Sequence, residues 1–174
     1  MGRCCLTEPF RLYLFVPCFP AGQPRAKATI RGRHAGVYTP TTIGKGIDKR
    51  PHPAVEFRHA VRSAVLEQIP KDFTLLEGPI AVSQMFWFPR PASMTKKKLP
   101  NPAVWKSSKP DRDNLDKGCL DCLTGVLWVD DAQVCDGRIR KAIVEPGQQP
   151  GVEILIETLS GVPTHLLSDR KENR

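Results

Sequence analysis

Proline limits what this chain can build. Its 17 prolines in 174 residues fall mostly at the edges of periodic stretches, and a residue with fixed φ and no N–H ends both strands and helices. Short elements joined by turns are the consequence. Residues 10–16 alternate around aromatic and β-branched side chains and read as a strand closed by Pro17 and Pro20. Residues 53–69 place Phe57, Val61, Ala64, Val65 and Ile69 at three- and four-residue steps, a helix with proline near its start and Pro70 at its end. Residues 80–88 set Ile80, Val82, Phe86 and Phe88 on one face of a second strand, interrupted by Gln84 and stopped by Pro89. Residues 114–124 form an amphipathic helix. Leu115, Gly118, Cys119, Cys122 and Leu123 line its apolar side, and Asp116, Lys117, Asp121 and Thr124 the polar one, while Leu120 breaks the pattern. Short strands are expected over 126–129, over 138–144 with a basic face, and over 152–159. The expected fold is α+β: a small mixed β-sheet with two main helices packed on it, in a single domain.

Two long connections lack obvious periodicity. Residues 20–53 are rich in Gly, Pro and basic side chains, and a stretch of this length without structure is usually functional or disordered. A loop that becomes ordered on nucleic acid is the expectation. Residues 90–109 are likewise polar and basic and carry Trp105.

Forty per cent hydrophobic and 25 % charged residues suit an ordinary globular core. No apolar run approaches the roughly 20 residues of a membrane helix, and residues 1–8 lack the apolar centre of a signal peptide. A soluble, cytoplasmic protein with no membrane partner is expected. The net charge of +8 points to a polyanion, nucleic acid ahead of an acidic membrane. Arg25, Lys27, Arg31 and Arg33 open one basic cluster, opposed only by Asp48 and Glu56 as far as Arg62; Lys96, Lys97, Lys98 and Lys109 belong to a second. These eight are the candidate DNA-binding residues. A merely solvated basic surface is the alternative.

Six cysteines without an export signal read as thiols. Cys119 and Cys122 form a C-x-x-C, yet no second ligand pair follows, and both lie on the buried stripe of a helix. Core packing is favoured over zinc or redox chemistry. The four histidines have no mutual metal-ligand spacing.

Against this basic background the segment 109–117 is acidic. Pro110 disfavours helix locally, so Asp111 and Asp113, two apart in an extended stretch, can present their carboxylates side by side. Paired hard oxygens suit Mg²⁺ or Mn²⁺. Asp113 also stands where a helix N-cap would, with Asp116 in the first turn, and capping is compatible with metal binding. Asp130 and Asp131 follow the 126–129 run, where a tight turn would also explain them. The short path from Asp113 can instead return Asp131 beside Asp111 and Asp113, completing a three-acid metal site for phosphodiester hydrolysis. Lys117, one turn after Asp113, can contact the phosphate or the leaving oxygen. An i to i+4 ion pair with Asp113 or Asp121 is its plainer role.

The run KPDRDNLDKGCLDCLTGVLWVDDAQV, residues 109–134, resembles the signature of the RusA family of Holliday junction resolvases, found widely in phages and prophages. It combines D-x-D-N-x-x-K, a helix with L-D-x-L, and a hydrophobic segment leading into D-D-x-Q-V. Gly22 to Arg25 and Tyr38 to Pro40 resemble the basic N-terminal segment of phage members. The resemblance implies a homodimeric, Mg²⁺-dependent endonuclease, with Mn²⁺ a possible substitute and no nucleotide cofactor, cutting branched DNA symmetrically at four-way junctions. By position it makes Asp111, Asp113 and Asp131 the catalytic acids, Lys117 the essential lysine, Asp130 an additional metal ligand and Asn114 an orienting residue. It covers most of residues 10–159, leaving 1–9 as an N-terminal extension and 160–174 as a flexible tail. A non-catalytic DNA-binding protein, its acids holding a structural cation or capping a helix, is the alternative.

Overall fold

A computed structural model describes residues 10–31, 34–95 and 101–161. Both terminal segments, 1–9 and 162–174, therefore lie outside the described residues. The prolines stand where the elements stop. Strand β1 (Arg11–Pro17) leads to a hairpin of β2 (Lys27–Arg31) and β3 (His34–Tyr38), then to a two-residue ladder of β4 (Thr42–Ile43) and β5 (Arg50–Pro51). Helix α1 (Pro53–Gln68) follows, then β6 (Ile80–Phe88) and β7 (Val104–Trp105). Helix α2 (Arg112–Leu123), β8 (Val134–Asp136), β9 (Ile139–Ile143) and β10 (Gly151–Thr158) complete the chain.

The main sheet runs β1-β10-β6-β9-β7, with β8 also pairing β6. Both β10 neighbours are antiparallel, whereas β8 and β9 lie parallel to β6, which makes the sheet mixed. Register puts Leu12, Ile156 and Val82 in one cross-strand row, Leu14, Ile154 and Gln84 in the next, and Val16, Val152 and Phe86 in a third. Residues opposite one another share a face. These rows form the covered face, and both helices pack on it with Phe57, Val61 and Val65 from α1 and Leu115, Cys119, Cys122 and Leu123 from α2. Burying each of the larger side chains contributes about 1.5–3 kcal/mol. The α+β architecture is the expected one.

Helix α1 begins with Pro53 at its first position, and the His52 ring nitrogen Nδ1 accepts the Ala54 N–H at 3.1 Å. Helix α2 starts two residues earlier than its pattern suggested. Its N-cap is Asp111, not Asp113, and Asp113 sits in the first turn. The extended Asp111-to-Asp113 stretch is therefore not formed; only Asp111 keeps extended backbone. About half a turn of added helix replaces it, with Leu115 fully buried in the core.

Two further expectations change. Residues 20–53 are not a bare loop but carry the β2–β3 hairpin, whose alternation was hidden among basic residues. The run 126–129 is a turn rather than a strand. Gly125 takes φ +73°, the Val126 and Leu127 N–H groups both donate back to Leu123 O, and Leu127 O accepts from Leu76. Val126, Leu127 and Trp128 plug the core end. An apolar run of four marks burial equally well in a turn.

Candidate functional site

The start of α2 is overlaid by the segment from Ala21 to Arg25. Gln23 N donates to Asn114 O at 2.9 Å, and a Cβ on Gly22 would come within 2.9 Å of Pro110 Cβ and 3.3 Å of Asn114 Cβ. Only glycine leaves room for that approach. A shallow depression of about 450 Å³ results, lined by Gly22, Gln23, Arg25, Lys109, Pro110, Asp111 and Asn114. Asn114 helps hold the two segments through its backbone carbonyl.

Arg25 Nη2 lies 3.2 Å from Asp111 Oδ2 in an exposed ion pair. Directly after Arg25 the hairpin begins, and a larger groove beside it is lined by Arg25, Lys27, Tyr38, Thr41, Lys45 and His52, among others. The first basic cluster and the first acid are thus in contact. Of the other candidate DNA-binding residues, Lys109 is exposed at the rim. Arg31 lies in β2, but its side chain, together with Arg33, Lys96, Lys97 and Lys98, lies outside the described residues.

Lys141 supports the acid segment from below, donating from Nζ to Ser108 O at 2.9 Å and to Pro110 O at 2.7 Å. Arg90 ties down the second connection: its guanidinium donates to Val144 O at 2.9 Å and to Pro102 O. Lys117 takes its plainer role here, pairing with Asp121 at 3.5 Å while remaining exposed.

Asp130 and Asp131 are exposed on a short turn of 3₁₀ helix. The Asp130 carboxylate accepts from Ala132 N at 2.8 Å, so it acts as a cap. Gln133 holds this turn with four hydrogen bonds. Its Oε1 accepts from Val129 N and Asp130 N at 2.9 and 3.0 Å, and its Nε2 donates to Leu76 O and Gly78 O, both at 2.9 Å. The Gln of D-D-x-Q-V is thus the pin of the loop. Its fixed place three residues after a candidate cap was the available signal.

The three acids do not close into a cage. Among the described residues, no group of three or more His, Cys, Asp or Glu is arranged to hold a metal ion. Mg²⁺ commonly takes only one or two carboxylates and completes its shell with water and substrate phosphate. Asp111, already beside a cation, and the exposed Asp113 are hard-oxygen donors open to solvent, the donor chemistry of that smaller set.

Sequence spacing puts Asp116 on the polar side of α2, but it is half-buried and accepts from Gln84 Nε2 at 2.7 Å. Burial raises its pKa, opposed by the Gln84 hydrogen bond and by Arg112. Cys119 and Cys122 are buried core members, Cys122 Sγ donating to Cys119 O. Burial holds the Cys119 thiol well above its usual range and pushes Cys122 up to about 12. Such thiols stay protonated, which matches the core reading.

The build is that of a small α+β protein with acids at a helix start beneath a basic arm. Over residues 17–157 the sequence matches the family model described as Endodeoxyribonuclease RusA, and the chain belongs to the RusA endodeoxyribonuclease family. It is also similar to a protein of Bacillus subtilis (strain 168) named uncharacterized protein YqaN, 27% identical over 146 residues, which span 81% of this chain and 92% of that one. No helix among the described residues is long and apolar enough to cross a membrane.

Proposed function

We propose that this chain is a Mg²⁺-dependent, structure-selective endonuclease that resolves Holliday junctions by paired, symmetric incisions in DNA recombination and repair. The observation that carries the reading is the contact between the basic arm and the first acid: Arg25 ends its reach on Asp111, at the start of the helix bearing Asp113 and Lys117. Family membership supplies the reaction class. A DNA strand drawn along the groove by Arg25, Lys27 and Lys45 is led to those carboxylates.

Asp111 and Asp113 would hold the cation, and Asp131, which does not close a cage with them, enters only through its place in the family motif. What a bound Mg²⁺ supplies is charge neutralisation at the scissile phosphate and a more acidic water. Water adds to phosphorus and releases a proton to bulk solvent, the bond to the 3′ oxygen breaks, and a 5′-phosphate and a 3′-hydroxyl remain. The Lys117 ammonium leaves Asp121 to neutralise the phosphate and to protonate the departing oxygen. Asn114 orients the acids by fixing the overlying segment to α2.

Symmetric cutting requires two copies of the site, so the working unit is a homodimer. Its support is the uncovered face of the main sheet, where Tyr13 is 58% exposed, Phe15 39% and Trp105 73%.

Asp113→Asn tests the reading. Cleavage of a synthetic four-way junction in Mg²⁺ should fall by at least about 100-fold with the thermal midpoint unchanged. Full activity in the folded variant refutes it. Salt-sensitive binding without any divalent-dependent nicking by the wild type, in a gel run with and without EDTA, establishes the non-catalytic alternative.

A further inference from the structure

On the covered face of β6 the stripe Ile80, Val82, Gln84, Phe86, Phe88 is apolar except at its centre. Gln84 is 2% exposed, the one polar residue among the fully buried side chains described. Leucine would fit that stripe without a polar group to satisfy. An amide there costs free energy unless it is hydrogen-bonded.

The surroundings are arranged around it. Gly137 lies against Val82, where a Cβ would come within 1.9 Å of Val82 O, so the link between β8 and β9 presses on β6 at this point. Arg138 O then accepts Gln84 N at 2.6 Å. Across the interface Gln84 Nε2 donates to Asp116 Oδ1 at 2.7 Å, while Gln84 Oε1 is buried without a partner. Asp116 lies one turn beyond Asp113 and directly precedes Lys117.

We propose that Gln84 and Asp116 are positioning residues: their hydrogen bond fixes the roll of α2 on the sheet and so the placement of Asp113 and Lys117. This inference rests on the nuclease reading above. The other α2 side chains buried in the core, Leu115, Cys119, Cys122 and Leu123, make apolar contacts, and apolar contacts resist separation far better than sliding or rolling. A charge-assisted hydrogen bond is directional and short. With side chains reaching about 5–6 Å from a helix axis, a roll of about 20° carries their tips through about 2 Å. A displacement of about 1 Å can already cost about 100-fold in rate.

Four variants decide the matter: Gln84→Leu, Asp116→Leu, the Leu/Leu double and Asp116→Asn. Gln84→Leu strands a half-buried carboxylate and should lower the thermal midpoint. The double variant completes the apolar stripe and should restore it. Its single-turnover cleavage of a four-way junction should still be down about 100-fold, with the Kd for uncut junction in EDTA within about twofold. Asp116→Asn keeps an acceptor for Gln84 and should retain the rate within a few-fold. A double variant that cuts at the wild-type rate overturns the proposal, as does a loss of rate matched by an equal loss of binding.

Residual dipolar couplings along α2 provide a readout that needs no activity. Couplings in the double variant that differ from wild type support the anchor, and identical couplings overturn it. If the wild type cuts no branched DNA, the nuclease reading fails by itself, and the couplings still decide whether the pair sets the helix.

Discussion

Replacing Gln133 by alanine removes a side chain that makes four hydrogen bonds to four backbone groups on two separate segments. Each neutral hydrogen bond contributes about 0.5–1.5 kcal/mol net. Val129, Asp130 and Gly78 are exposed, so water recovers part of the loss, and only the Leu76 carbonyl is more enclosed. Counting about half the gross sum, the expected destabilisation is about 2 kcal/mol. For a domain of this size that lowers the thermal midpoint by about 4–8 °C. Thermal unfolding and urea titration of wild type and variant measure it directly. Gln133→Glu separates the two halves of the interaction: it retains acceptors for Val129 and Asp130 but turns an oxygen toward the Leu76 and Gly78 carbonyls. It should be at least as destabilised as the alanine variant. If Gln133→Ala lies within about 0.5 kcal/mol of wild type, the loop is not pinned by this side chain and the reasoning fails.

Other outcomes follow from the same geometry. Arg25→Ala removes a cation from the groove proposed to carry the DNA strand, so the slope of log K against log salt for DNA should shallow by about 1, with a stability loss of at most about 1 kcal/mol from the exposed ion pair; an unchanged slope refutes the groove. Iodoacetamide at pH 8 should label the exposed Cys135 well before Cys119 or Cys122, and peptide mapping that finds all three equally modified refutes their placement in the core. Asp116 binds its proton more tightly folded than unfolded. Its contribution to stability is therefore fully present below the ordinary carboxylate pKa of 3.8 and lost as pH rises through the higher folded value. The stability difference between wild type and Asp116→Asn should thus shift toward wild type as pH falls through that window, and a pH-independent difference refutes the burial argument.

How much was legible in the sequence depended on the range over which each cause acts. Proline edges and apolar spacing are local, so α1, β6 and the buried stripe of α2 could be read directly, and Cys119 and Cys122 were placed in the core. The acidic motif was legible for the same reason, as a set of neighbours in the chain. The hairpin was missed because its alternation is interrupted by basic residues whose partners lie across the turn. The 126–129 run reads as a strand because burial, not strand pairing, makes it apolar.

Local pattern by itself determined the α+β class, the basic character of residues 20–53 and the clustering of acids over 111–116, since each follows from side chains within a few residues of one another. Only the tertiary structure decided that Asp111 rather than Asp113 stands at the N-cap position of α2, that Arg25 meets Asp111, and that Gln84 reaches Asp116 from a strand 32 positions away. The physical reason is that these are contacts between surfaces. The hydrophobic drive that seats α2 on the sheet selects them, and it acts on the whole packed face, not on any stretch of residues read in order.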